Sequence, residues 1–169
     1  MIDKRAILDE RARRLAAPIS DATIATEVLE VATFTLSGER YAIETRYVRE
    51  IVALADFTPV PGGPSVLFGV VNLRGDVLAV FDLRSLLGLG QGTISDLYRV
   101  IVLGTERAEF GVLADAVHEV TRFPAAALFD LSGTDDHHRY VRGVTTEALA
   151  VLDGQLVLND TRFSIDDGR

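Results

Sequence analysis

The sequence predicts a mainly β chain: two similar, small β subdomains over about 31–93 and 94–165, preceded by a helical arm and linker over 1–30. Three observations predict this. From Val31 onward, short apolar runs alternate with polar turns, as in "VATFTL", "YAI", "VREIVAL", "VLAVFDL", "YRVIVLG", "EFGVLAD" and "ALAVLD". Runs of this length and spacing are the pattern of half-buried strands in small barrels or a sandwich. Before Val31 the pattern is different, with charges interleaved among isolated apolar residues. Finally, the β-rich part repeats itself, block by block and in the same order.

The arm comes first. Residues 3–17 read as a helix: Asp3 can cap it, and Ile7, Leu8 and Leu15 fall roughly on one side. Arg5, Arg11, Arg13 and Arg14 interleave with Asp9 and Glu10, which describes a solvated, weakly amphipathic helix; docking to a partner is the sharper alternative. Pro18 ends it, because proline cannot continue the hydrogen-bond ladder. Residues 18–30 read as a linker or a loosely packed arm. Within the β-rich part, short helices are expected at Thr45–Val48, Asp82–Leu87 and Ala114–Ala116.

The repeat sets the architecture. "FTLSGER" from Phe34 aligns with "IVLGTER" from Ile101, and "YAIETRYVREI" from Tyr41 with "FGVLADAVHEV" from Phe110. Gly69-Val70 then corresponds to Gly143-Val144, and "LAVFD" from Leu78 to "LAVLD" from Leu149. Four blocks in order are far harder to obtain by chance than one. Each half is small for an independent core, so the halves are expected to pack on each other or exchange strands. The repeat is also an internal control. What both halves share is what the fold needs, and what one half alone carries is a candidate for function. "NLRG" at 72–75 belongs to the first half only; its counterpart "TTE" at 145–147 is shorter and has no arginine.

Composition excludes several function classes. The 169 residues are 48% hydrophobic and 25% charged, enough for a folded core. There is no cysteine, which removes disulfides, zinc-thiolate sites and thiol nucleophiles. With 17 Lys and Arg against 25 Asp and Glu, the net charge is −8. Nucleic-acid binding needs a basic face, so neither a nucleic-acid role nor general attraction to anionic membranes is expected. No apolar run reaches the roughly 20 residues that span a bilayer, and the N-terminus lacks a signal-peptide core. A cytoplasmic protein without direct membrane insertion is expected.

No persuasive catalytic set is present. His118 lies within the repeated Val-x-Glu-Val block, aligned with Arg49, and reads as an exposed strand residue. Asp135, Asp136, His137 and His138 could bind a divalent metal, but without ligands converging from rigid elements they read as a polar loop. A small metal-dependent hydrolase built on these four residues is the alternative from a different class. "GLGQGT" at 88–93 lacks the spacing of a dinucleotide-binding glycine run and reads as a linker. Asp82 recurs as Asp153, which favours a turn or helix-cap role over acid–base chemistry. No cofactor is expected.

The stretch "VPGGPSVLFGVVNLRGDVLAVFDLRSLLG", residues 60–88, resembles the CheW family, the coupling proteins of bacterial chemosensory arrays. Pro61, Pro64, Gly69, Val70, Asn72, Leu73, Arg74, Gly75, Val80, Asp82, Leu83 and Arg84 match the family pattern, with Val48, Glu50 and Ile51 matching upstream. The resemblance covers about 31–165. It departs at Ala79, where the family usually has proline, in the longer arm, and at the 135–138 loop. It implies two five-stranded, SH3-like barrels and an adaptor without enzymatic activity. The partners it implies are the regulatory domain of a CheA-type histidine kinase and the cytoplasmic tip of chemoreceptors, the latter near the groove between barrels. A CheW-like adaptor of another chemosensory pathway, for surface motility or a second messenger, is the closest variant. The candidate partner-binding residues are Val48, Glu50, Ile51, Gly69, Asn72, Arg74 and Gly75. Val66, Leu67 and Phe68 are read either as further apolar contact area or as core, an alternative the sequence leaves open. Arg74, at a rim where Gly75 permits the turn, is expected to fork onto Glu50 and shape the docking surface, adding little stability if exposed.

Overall fold

The computed structural model describes residues 27–54, 57–90, 98–131 and 136–163. Among them are ten strands: β1 (Val28–Leu36), β2 (Glu39–Glu44), β3 (Val48–Ala53), β4 (Leu67–Leu73), β5 (Asp76–Phe81), β6 (Arg99–Leu103), β7 (Phe110–Ala114), β8 (Ala116–Pro124), β9 (Val141–Val144) and β10 (Ala150–Leu152). One short helix follows, α1 (Gly154–Asn159). The helix expected over 3–17 lies outside the described residues. From Val28 the chain is already strand, so β1 begins inside the stretch read as linker.

The strands form two five-stranded sheets. The first runs β9-β10-β2-β1-β8 and the second β3-β6-β7-β5-β4. Each sheet therefore takes strands from both halves of the repeat. The first-half hairpin β1–β2 sits with β8, β9 and β10, while the second-half hairpin β6–β7 sits with β3, β4 and β5. The expected division near residue 93 follows the repeat but does not divide the sheets. The halves have exchanged their leading hairpins, and each small core is completed by the other half.

The exchange is symmetric down to register. β5 pairs in parallel with β7, Val80 opposite Gly111, and β10 pairs in parallel with β2, Val151 opposite Ala42. β3 opposes β6 with Ile51 across from Ile101, and β8 opposes β1 with Val120 across from Ala32. Each of these two pairs carries an irregularity of register at the same place. The geometry also corrects one alignment. Phe34 lies opposite Tyr41, and Leu103 lies opposite Phe110. Phe34 is thus equivalent to Leu103, not Ile101, because the β6–β7 turn is longer than the β1–β2 turn and the shared Glu-Arg pairs do not superpose.

Three apolar clusters follow from this topology. Leu29, Val31, Ala42, Leu149 and Val151 fill the first sheet. Val71, Leu78, Val80, Tyr98, Val100 and Leu113 fill the second. The largest lies between them and includes Phe34, Ile43, Phe81, Leu103, Phe110 and Phe163. Successive strand residues face opposite sides, so β6 sends Val100 and Val102 into the second sheet's core and Ile101 and Leu103 into the shared one. Burial on both faces explains why "VIVL" from Val100 and "FGVLA" are continuously apolar rather than alternating.

The expected short helices fare differently. Thr45–Tyr47 is one 3-10 turn. Residues 84–88 form turns rather than a regular helix, and Asp82 accepts from the Arg84 N–H at 3.0 Å at their start. Ala114–Ala116 is extended: Asp115 only kinks the passage from β7 to β8, its N–H donating to the Thr35 carbonyl at 2.9 Å. Helix α1 was not foreseen. Asp153 caps it, accepting from the Leu156 N–H at 3.0 Å, so the cap role expected for that aspartate is realised there.

Candidate functional site

The segment "NLRG" closes the β4–β5 hairpin. Leu73 and Asp76 are opposite each other, leaving Arg74 and Gly75 as a two-residue turn. Both have positive φ, +54° and +91°, the geometry of a type I′ turn whose twist matches that of the strands. Asn72 supports the turn, its Oδ1 accepting from the Gly75 N–H at 2.9 Å. Gly75 takes the left-handed conformation without cost, whereas Arg74, with a Cβ, is held in it.

Arg74 is held toward β3. Its Nη1 donates to Glu50 Oε2 at 2.6 Å and its Nη2 to Glu50 Oε1 at 2.8 Å, a two-pronged fork. β3 and β4 are the opposite edges of the second sheet, so this contact shows the sheet curled until its edges meet. Thr58 helps close it, bridging to Val70 of β4, as Phe129 bridges to Val144 in the first sheet. The hydrogen bonds from Arg74, helped by its charge and opposed by partial desolvation, hold the Glu50 carboxyl below its ordinary pKa. The same bonds raise that of Arg74.

The other candidates separate into surface and scaffold. Ile51, next to Glu50, is 40% exposed and stays available for contact. Val48 is half-buried and packs against the shared core. Gly69 is buried: a Cβ there would sit 2.6 Å from the Thr58 carbonyl oxygen, so the glycine is needed for the strand beside it. Its repeat partner Gly143 meets Phe129 in the same way. Val48 and Gly69 therefore have a role in the fold itself. Of the additional apolar area, Val66 is buried, while Leu67 packs on the shared core and Phe68 on the second sheet's core, where it meets Phe57 with ring centroids 4.7 Å apart.

Two features were not anticipated. One is a groove of about 870 Å³ along the β4–β5 hairpin. Val70, Val77 and Ala79 line one wall, and Arg107, Leu158 and Phe163 line others. Val77 is 70% exposed at the groove's mouth. The other is Arg84, named only as a motif match. It is 2% exposed and bonds Asp82 through Nη1 at 3.0 Å, Tyr98 through Nη2 at 3.3 Å and Ser37 through Nε at 3.0 Å, with Asp115 also on Nη2. Burial, the largest influence on it, disfavours the charge, but Asp82 and Asp115 outweigh burial and its pKa is raised. The signal was in the repeat, since the equivalent of Arg84 is Gln155, a divergence as sharp as that at Arg74.

Asp136, His137 and His138 form a 3-10 turn beside a small cleft shared with Ser85, Arg139 and Arg162. Among the described residues no group of three or more His, Cys, Asp or Glu could hold a metal ion, and Asp135 lies outside them. His118 is exposed on β8, 2.7 Å from the Thr35 hydroxyl. Among the described residues no helix is long and apolar enough to cross a membrane.

A family model for the CheW-like domain matches residues 30–162. The chain belongs to the CheW-like family. Similar curated proteins include the chemotaxis protein CheW of Thermotoga maritima, 29% identical over 134 residues, covering 79% of this chain and 85% of that one. The CheW of Bacillus subtilis is 37% identical over 87 residues, 52% of this chain and 56% of that one, so this match spans about half of either chain. Among solved structures, the scaffolding protein TtCheW from Thermoanaerobacter tengcongensis matches with a TM-score of 0.68 at 24% identity, covering 85% of this chain and 97% of that one. That likeness extends to the fold: two β subdomains of the CheW-like type, here with the exchanged hairpins described above.

Proposed function

We propose that this chain is a non-enzymatic adaptor that couples chemoreceptors to a CheA-type histidine kinase, with the Arg74 hairpin as part of its docking surface. The observation that carries this reading is the Arg74–Glu50 fork. It lies at the surface, where an ion pair adds little to folding because water screens it. It nevertheless joins the two edges of a sheet and holds a non-glycine residue at positive φ. An arrangement with small folding value and high geometric definition serves orientation and partner choice. Glu50, Asn72, Arg74 and Gly75 shape the rim, and the exposed Ile51 supplies apolar contact beside it. The kinase regulatory domain and the receptor tip are the partners that family membership suggests.

Co-sedimentation of the purified chain with a CheA regulatory domain and with receptor cytoplasmic fragments tests this. Binding of both is expected. Arg74→Ala is expected to weaken at least one of them while leaving the circular dichroism spectrum and Tm close to those of the parent. Wild-type binding to neither partner, or undiminished binding by the variant to both, sinks the assignment.

A further inference from the structure

The hairpin exchange creates two equivalent joints between the sheets, and they are built differently. At each joint the turn of an exchanged hairpin meets the segment that leaves the last strand of the opposite sheet. At the first joint the β1–β2 turn meets residues 82–90. Here Arg84 binds Ser37, Asp82, Tyr98 and Asp115. Ser37 in turn donates its N–H to Asp115 Oδ2 at 2.8 Å and its hydroxyl to the Gly90 carbonyl at 2.7 Å. At the second joint the β6–β7 turn meets residues 154–163, and the wide groove lies there, lined by Arg107 and Glu109 from the turn, Phe110 at the start of β7, and Leu158, Asp160 and Phe163 from the segment. Asp82 recurs at this joint as Asp153, which caps α1 instead, and the rest of the clasp has no counterpart. Arg84 is replaced by the exposed Gln155, Tyr98 by Leu29, and Asp115 by Arg46, which pairs with Glu44.

The two joints touch through one aromatic cluster. Phe81 immediately precedes Asp82 of the clasp, and its ring meets Phe110 edge-on at 5.5 Å and Phe163 at 5.1 Å, two residues that line the groove. Phe110 and Phe163 also stack on each other at 5.4 Å. A displacement at the clasp therefore has a short packed route to the groove walls, and close-packed cores answer by shifting between discrete arrangements rather than by yielding smoothly.

We infer that Arg84 is a positioning residue that pins the first joint shut and thereby sets how wide the groove stands at the second. Arginine suits the task because one planar guanidinium can hold four partners at fixed angles; an ammonium cannot reproduce the fork. Its positive charge also lies between two carboxylates, so its loss leaves Asp82 and Asp115 repelling each other across the joint. This is a property of the free chain and stands or falls separately from the adaptor reading.

The test uses the full chain, which has no cysteine of its own. Spin labels on Asp76→Cys and Asn159→Cys, both exposed, report the distance across the groove; labels on Asp76→Cys and Ala53→Cys, both in the second sheet, serve as control. In Arg84→Gln the cross-groove distribution is expected to shift or broaden by roughly 1–2 Å, the scale of packed-element shifts, with the control pair unchanged. Arg84→Lys, which keeps the charge but loses the fork, is expected to recover this only in part. Asp115→Asn, a milder change, is expected to move the distribution in the same direction, and it decides the matter if Arg84→Gln does not fold. An unaltered cross-groove distribution in the folded variants, or equal broadening of both pairs, overturns the proposal.

Discussion

Gly69→Ala separates scaffold from docking surface and can be worked out from the geometry. A methyl group at this position would lie 2.6 Å from the Thr58 carbonyl oxygen, 3.2 Å from its carbon and 3.3 Å from the Phe57 ring. The closest atoms are backbone, so no rotamer change relieves the clash. Thr58 must move, and it is held by two hydrogen bonds, its N–H to the Val70 carbonyl at 2.8 Å and the Val70 N–H to its carbonyl at 2.9 Å. Overpacking a filled site costs about 1–3 kcal/mol, and weakening these two bonds adds about 0.5–1.5 kcal/mol each. The expected loss is therefore about 2–6 kcal/mol, a large share of the ~5–15 kcal/mol that holds a domain folded. Gly143→Ala is the matched comparison. Its nearest contacts are the Leu128 Cβ at 2.9 Å and the Phe129 carbonyl oxygen at 3.0 Å, so its loss is expected to be smaller. Urea unfolding monitored by circular dichroism measures both. A midpoint for Gly69→Ala at or above that of Gly143→Ala, with equal slopes, would refute the reasoning that the Thr58 approach dictates this glycine.

Other outcomes are expected. Arg84→Met should destabilise the chain by about 3–5 kcal/mol, the cost of leaving partly buried carboxylates without their cation; a change under about 1 kcal/mol in urea unfolding would contradict the clasp. Asp153→Ala should cost about 0.5–2 kcal/mol through loss of the α1 cap, with faster amide exchange at Leu156, and unchanged exchange there would contradict the cap. Carbon-detected NMR should find Glu50 titrating below the ordinary glutamate range and returning toward it in Arg74→Ala. Because its folded pKa is depressed, the fork's contribution is fully present above the unfolded glutamate pKa and is lost as pH falls through the folded value. A titration midpoint in the ordinary range for the parent protein would refute the fork in solution.

Much of the candidate site was legible because its signals are local. "NLRG" names a turn, a side-chain support and a charge within four residues, and the repeat marked it as present in one half only. Glu50 was identifiable as the partner of Arg74 because a carboxylate on the neighbouring matched strand suits a guanidinium fork. The fold role of Gly69 was not legible, because a motif match does not say whether a glycine is wanted for its exposure or for the backbone that passes beside it. Val66 and Phe68 stayed open between interface and core for a related reason: the neighbouring elements, not the motif, decide which way an apolar residue faces, and here they turn both toward core. Arg84 was passed over although its divergence from Gln155 was as visible as that of Arg74.

The sequence alone determined that the chain is mainly β, that it is internally duplicated, that it belongs with the CheW-like pattern, and where the two halves differ. Periodicity and turn chemistry are properties of neighbouring residues, so they survive without a structure. The tertiary structure decided which strand lies beside which. The small size of each half pointed to packing together or to exchange, but a half-buried strand carries the same alternation whether it pairs within its own half or across to the other, so the pattern did not decide between them. From that exchange came everything the linear reading lacked: a shared core larger than either sheet's own, Arg84 drawn into a buried clasp at one joint, and an open groove at the other.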